Sequence, residues 1–145
     1  MNEAGAQFTL REDHKVHVED MDVQHGRLIG YLEELRSALG RGQQRDAVTG
    51  IFRRLIQYLY IHCADEEQFM EANRFPSLAD HVALHRQIYQ RLAAELAAFE
   101  SGSSDLKEAD VAMIYGWLDE HLTQADSKYG DYFGLERPTS PRSSG

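Results

Sequence analysis

At 145 residues with 42% hydrophobic content, the chain can bury one core, and its length argues against two independently folded domains. Its 15 basic residues against 24 acidic ones give a formal charge of -9, which repels nucleic-acid phosphates and anionic lipid head groups, so neither nucleic acid nor membrane is an expected partner. A single cysteine, Cys63, excludes an intramolecular disulfide framework and a thiolate cluster, so any metal must rely on His, Asp and Glu. Near the N-terminus, Glu3, Arg11, Glu12 and Asp13 have no apolar run between them. Neither a signal peptide nor a membrane span fits there or elsewhere, and a cytoplasmic protein is the expectation.

Residues before Val16 lack helical periodicity and read as an arm laid across the fold, with Phe8 and Leu10 as its anchors. From Val23 to Leu39, the positions His25, Leu28, Leu32, Leu35 and Leu39 recur at steps of three and four, which predicts a first helix with one buried stripe. Asp22 is its expected N-cap, and Gly40 and Gly42 end it. The second stripe runs Val48, Phe52, Leu55, Leu59, His62, Glu66, Phe69, and its helix reaches about Met70. After a break at Asn73 to Pro76, Ser77 with Asp80 three residues on opens a third helix through Phe99. Its stripe is Leu78, His81, His85, Ile88, Leu92, Leu96 and Phe99. Ser101 to Ser104 form a loop, and Asp105 with Glu108 makes a capping-box pattern for a fourth helix to about Ala125. Its face is Val111, Ile114, Trp117, Leu118, His121 and Ala125. Four amphipathic helices with short connections predict an all-α, up-down-up-down antiparallel four-helix bundle over residues 1–134. The stretch 135–145 contains two prolines, three serines and one glycine and is expected to be a disordered tail.

The seven histidines are the compositional feature to explain. His25, His62, Glu66, His81, His85 and His121 all fall on buried stripes, where apolar residues belong. A buried carboxylate without partners costs several kcal/mol or is neutralised, and buried imidazoles need partners too. A shared metal resolves all of these intrusions together. His62 and Glu66 are four residues apart, as are His81 and His85, which sets each pair on one face about 6 Å apart along the axis. Any one histidine, taken singly, is more often a hydrogen-bonded core residue than a ligand; the inference rests on the joint pattern. The segment His81-Val82-Ala83-Leu84-His85 lacks the glutamate that follows the first histidine in zinc proteases. Cys63 neighbours His62, but adjacent helical residues diverge by about 100 degrees, so they form no nucleophilic dyad, and Cys63 reads as a small packing residue.

In order along the chain, Asp22-Val23-Gln24-His25, His62-x-x-x-Glu66-Glu67, His81-x-x-x-His85 and Trp117-Leu118-x-x-His121-x-x-x-x-Asp126-x-x-Tyr129 resemble the bacterial hemerythrins over about residues 16 to 133. The resemblance implies two iron ions held by His25, His62, Glu66, His81, His85, His121 and Asp126. Glu66 and Asp126 would bridge them, with an oxo or hydroxo group as the third bridge. Asp126 enters through the resemblance alone, since a five-residue step from His121 turns about 140 degrees off an α-helical stripe. Leu10, His17 and Cys63 depart from the family pattern, standing where a tryptophan, a glycine and a phenylalanine are common. Glu67, next to Glu66, could orient a histidine or simply face solvent, and solvent is the favoured reading. His14 and His17 read as exposed loop histidines with no role in the site.

The implied ligand count leaves one position open on the iron pair, where dioxygen would bind reversibly. Five neutral imidazoles supply less negative charge than carboxylate-rich di-iron sites, which disfavours higher iron oxidation states. Leu28, Leu59, Ile88, Ile114, Trp117 and Leu118 are expected to wall the site. The expected function is reversible dioxygen binding for carriage, storage or sensing, without enzymatic turnover. The alternatives are a di-iron redox enzyme acting on peroxide, nitric oxide or dioxygen, and an iron-handling or iron-sensing module. An electron donor or an oxygen-consuming enzyme would be the protein partner, and a monomer is favoured.

Overall fold

The computed structural model describes residues 8–16, 18–126 and 128, with the side chain of Asp126 outside that description. Four helices make the bundle: α1 (Glu19–Gly40), α2 (Arg45–Ala72), α3 (Leu78–Ser101) and α4 (Glu108–Glu120). A short 3-10 turn, Glu12–His14, precedes α1, and α4 runs on directly into a π-helical turn, His121–Asp126. Among the described residues there is no strand, and no helix is long and apolar enough to cross a membrane.

The stripes read from the sequence are the faces that meet. Leu28, Leu32, Leu35, Phe52, Leu55, Leu59, Leu92, Val111, Ile114 and Leu118 are buried together in one core. α1 packs on α2, α2 on α3, and α1 on α4, the neighbour relations of an up-down-up-down bundle. A smaller cluster of Val16, Met21, Met70 and Phe75 closes the far end. On α1 and α2, the polar intrusions His25, His62 and Glu66 lie between these two apolar clusters, since Met21 and Leu28 flank His25, and Leu59 and Met70 flank the other two.

Helix ends differ from expectation in detail. α1 starts at Glu19, three residues before the expected N-cap Asp22, which instead accepts a hydrogen bond from the Val16 amide (2.8 Å) and ties the arm to the helix. Ser77 stands at the α3 N-cap position but makes no capping bond. At α4 the capping carboxylate is Asp110, which accepts from the Lys107 amide (2.8 Å), while Asp105 pairs with Arg45 (3.3 Å). Arg45 also donates to the Phe99 carbonyl and lies over the Phe99 ring, closing the end of α3. Gly102 follows that end with φ +81, a left-handed conformation that glycine adopts without a Cβ clash.

The arm is anchored as expected at Phe8, whose ring stacks on Tyr115 with centroids 4.3 Å apart and whose amide donates to Glu33 (2.9 Å). Leu10 is half-buried over Gly26. The reading of His14 as an exposed loop residue is corrected: its side chain is fully buried. Its Nδ1 accepts from the Arg11 amide (3.0 Å), so Nε2 carries the proton and donates to Asp119 of α4 (2.8 Å). The sequence offered no apolar period there to reveal this burial. His17, Tyr129 and the tail expected over 135–145 lie outside the described residues.

His14→Ala should lower the unfolding free energy by about 1–3 kcal/mol, because it empties a fully buried site and strips partners from a partly buried amide and a half-buried carboxylate. Urea titration with tryptophan fluorescence measures this, and metal content should be unaffected.

Candidate metal centre

Each helix delivers its part from a helical repeat. α1 supplies His25; α2 supplies His62 and, one turn on, Glu66; α3 supplies His81 and His85 at the same spacing; and His121 opens the turn after α4. All are buried, with relative exposures from 0% for His25 and Glu66 to 8% for His121. The structure therefore brings together every expected site residue whose side chain it describes.

Glu66 is the centre of the arrangement. Its Oε2 lies 3.0 Å from His25 Nε2 and 3.6 Å from His62 Nε2. Its Oε1 lies 3.2 Å from His81 Nε2 and 2.9 Å from His85 Nε2. The His121 ring stands on the Oε1 side, its centroid 4.8 Å from His81 and 5.0 Å from His85. Two groups of potential ligand atoms result, each within 4.8 Å: Glu66, His81, His85 and His121 in one, and His25, His62 and Glu66 in the other. One carboxylate thus belongs to both.

The outward nitrogens are fixed by Gln24, to which the sequence reading gave no role, and by Glu67, for which it favoured solvent. His62 Nδ1 donates to the Gln24 side-chain oxygen (2.7 Å), and the Gln24 amide nitrogen donates to Asp65 (3.0 Å), which sets the orientation of the amide. His85 Nδ1 donates to Glu67 (2.8 Å), so Glu67 is a partner of the cluster rather than a solvent-facing acid. These bonds place an Nδ1 proton outward on both rings and turn the Nε2 atoms towards Glu66 and the interior. Cys63, read as a packing residue, is buried beside His85.

Electrostatics reflect this crowding. Burial pushes the Glu66 carboxyl up, but His25, His81 and His85 outweigh it and hold the group well below the usual carboxylate range. Burial opposes a charge on His85, yet Cys63 and Glu66 beside it raise its pKa to about 11. Burial pushes the Cys63 thiol up, with His85 pulling against it. Five imidazoles around one charged carboxylate, walled off from water, form a nitrogen-rich donor set that fits divalent first-row transition ions.

The π-helical turn bears on Asp126. In α-helical geometry a five-residue step leaves the stripe, but i→i+5 bonding sets residues five apart roughly one above the other. The backbone at position 126 is thereby brought into line with that at 121. Its side chain lies outside the described residues.

A bundle whose interior gathers imidazoles around a shared carboxylate defines a cation-binding helical protein. Residues 16–133 match the family model described as the hemerythrin HHE cation binding domain. The chain is 30% identical over 126 residues to a bacteriohemerythrin of Stenotrophomonas maltophilia (strain R551-3), covering 87% of this chain and 81% of that protein. It is 24% identical to a myohemerythrin of Riftia pachyptila, covering 88% and 94%. A wild-type hemerythrin crystal structure superposes with a TM-score of 0.81 at 23% identity, covering 87% of this chain and 97% of that one. The chain belongs to the hemerythrin family, whose members bind dioxygen at non-heme iron and are not enzymes.

In the metal-free chain, the depressed Glu66 contributes stability that is present above its ordinary value of 4.5 and lost as pH falls through the lower folded value. The raised His85 contributes stability that is full below 6.5 and lost as pH rises through about 11. Urea midpoints of metal-free protein should therefore be highest between pH 4.5 and 6.5 and fall on both sides. Glu66→Gln should flatten the acid limb.

Proposed function

We propose that the chain holds two irons through His25, His62, Glu66, His81, His85, His121 and Asp126, and binds dioxygen reversibly, in carriage or storage. The observation that carries this reading is the division of imidazoles between the two oxygens of buried Glu66, two on one side and three on the other, the arrangement a bridging carboxylate requires. A reduced iron pair would supply the two electrons that reversible dioxygen binding draws on.

The protein's own contribution is position and dryness. Gln24 and Glu67 hold His62 and His85 in the tautomer that offers Nε2 inward. Beside the imidazoles, Leu28, Leu59, Ile88, Leu118 and Leu122 line a small space of about 10 Å³. That is at the lower limit of about 10–15 Å³ that one water needs, and most of its lining offers water no partner. A dry apolar pocket lets a small uncharged gas in while disfavouring water and protons, which suits a long-lived oxygen-bound form. Carriage and storage both require such a form. For Asp126, the support is the π-helical register that aligns its backbone position with His121.

Metal analysis with visible absorption, over a cycle of anaerobic reduction, exposure to air and removal of oxygen, tests the reading. Near two irons per chain and a charge-transfer band that comes and goes with oxygen are expected. Iron that oxidises at once, without a reversible band, would overturn carriage and storage. His81→Ala should cut iron content sharply. Leu118→Ala should admit water to the pocket and shorten the lifetime of the oxygen-bound form several-fold, followed as decay of the same band, at a cost of about 2–5 kcal/mol in stability.

A further inference from the structure

Two imidazoles of the cluster, His62 and His85, donate outward hydrogen bonds to groups of different charge. His85 Nδ1 donates to the Glu67 carboxylate at 2.8 Å, whereas His62 Nδ1 donates to the neutral amide of Gln24 at 2.7 Å. A charged acceptor polarises an N–H more strongly than a neutral one, and the polarised imidazole is the better electron-pair donor at its other nitrogen. The Glu67 side chain is 30% exposed, so water screens this bond only in part. The charged partner also stands on the side of Glu66 that already has more nitrogen donors: His81, His85 and His121, against His25 and His62.

We propose that Glu67, acting through His85 as a positioning residue, makes the His81–His85–His121 half the tighter of two cation sites. Metal then loads there first and leaves there last, with a stable one-metal form between. The proposal rests on the two-metal reading above and adds an order to it. Glu66 serves both halves equally, so the order comes from the additional imidazole of that half and from the Glu67 bond that strengthens His85.

The experiment uses full-length protein loaded with cobalt(II) and challenged with excess chelator, the one- and two-metal species being resolved by native mass spectrometry. Wild-type protein should lose its ions in two phases, with the one-metal species accumulating. Glu67→Gln, a change at a partly exposed site, should speed the slow phase by about ten- to a hundredfold and leave the fast phase in place. Glu67→Asp should restore part of the slow phase. Gln24→Ala should alter the fast phase alone. Loss of both ions in a single phase, or equal acceleration of both phases in Glu67→Gln, would overturn the proposal while leaving the two-metal reading intact. Far-UV circular dichroism of each variant separates loss of metal from loss of fold. Wild-type protein that never holds a second cobalt would sink the two-metal reading, and the loading order with it.

Discussion

A carboxylate with no exposed surface sits in the middle of this bundle, and the burial of Glu66 is the constraint on which the remaining architecture depends. An unpaired charge there would cost several kcal/mol even after relaxation of its surroundings. The chain meets the demand by bringing an imidazole from α1, one from α2 itself, two from α3 and one from the turn after α4 to the same two oxygen atoms. No helix could supply that surround alone. The bundle topology and the polar centre therefore specify each other: the register of each helix is correct only when its imidazole reaches Glu66.

Apolar packing on both sides makes this arrangement rigid. The larger core, built around Phe52 and Leu55, and the smaller cluster of Met21, Met70 and Phe75 clamp the polar layer between them. The N-terminal arm adds a strap on the α1 and α4 side through the Phe8–Tyr115 stack, the Phe8–Glu33 bond and the buried His14–Asp119 contact. Asp119 lies two residues before His121, so the strap steadies the end of α4 just where the π-helical turn begins.

The apolar period made the fold legible in the sequence, and violations of that period made the site legible. His25, His62, Glu66, His81, His85 and His121 stood out because each replaces an apolar residue on a stripe that is otherwise regular. The residues that were misread or given no role share the opposite property. Gln24 and Glu67 sit just off the buried face, where polar residues are unremarkable, and only the helix packing reveals that they reach a ring nitrogen. His14 was misread because its burial comes from the arm folding onto α4, a contact between positions 105 residues apart. Asp22, too, was assigned a capping role that the structure gives to the arm instead, because a carboxylate at a helix start looks the same whichever amide it accepts from.

The turn from His121 to Asp126 interrupts the α-helix at the end of the bundle. In such a turn the chain covers one revolution with an additional residue, so the segment behaves as a built-in insertion, a phase shift between the helix before it and the residues after it. Straightening it to α-helical geometry at unchanged length would carry position 126 to about 140 degrees from His121, whereas an α-helix one residue shorter would return it to within about 40 degrees. Length and local conformation in this segment are therefore coupled: the wider turn absorbs the additional residue, and either one changed alone would carry position 126 out of line with His121.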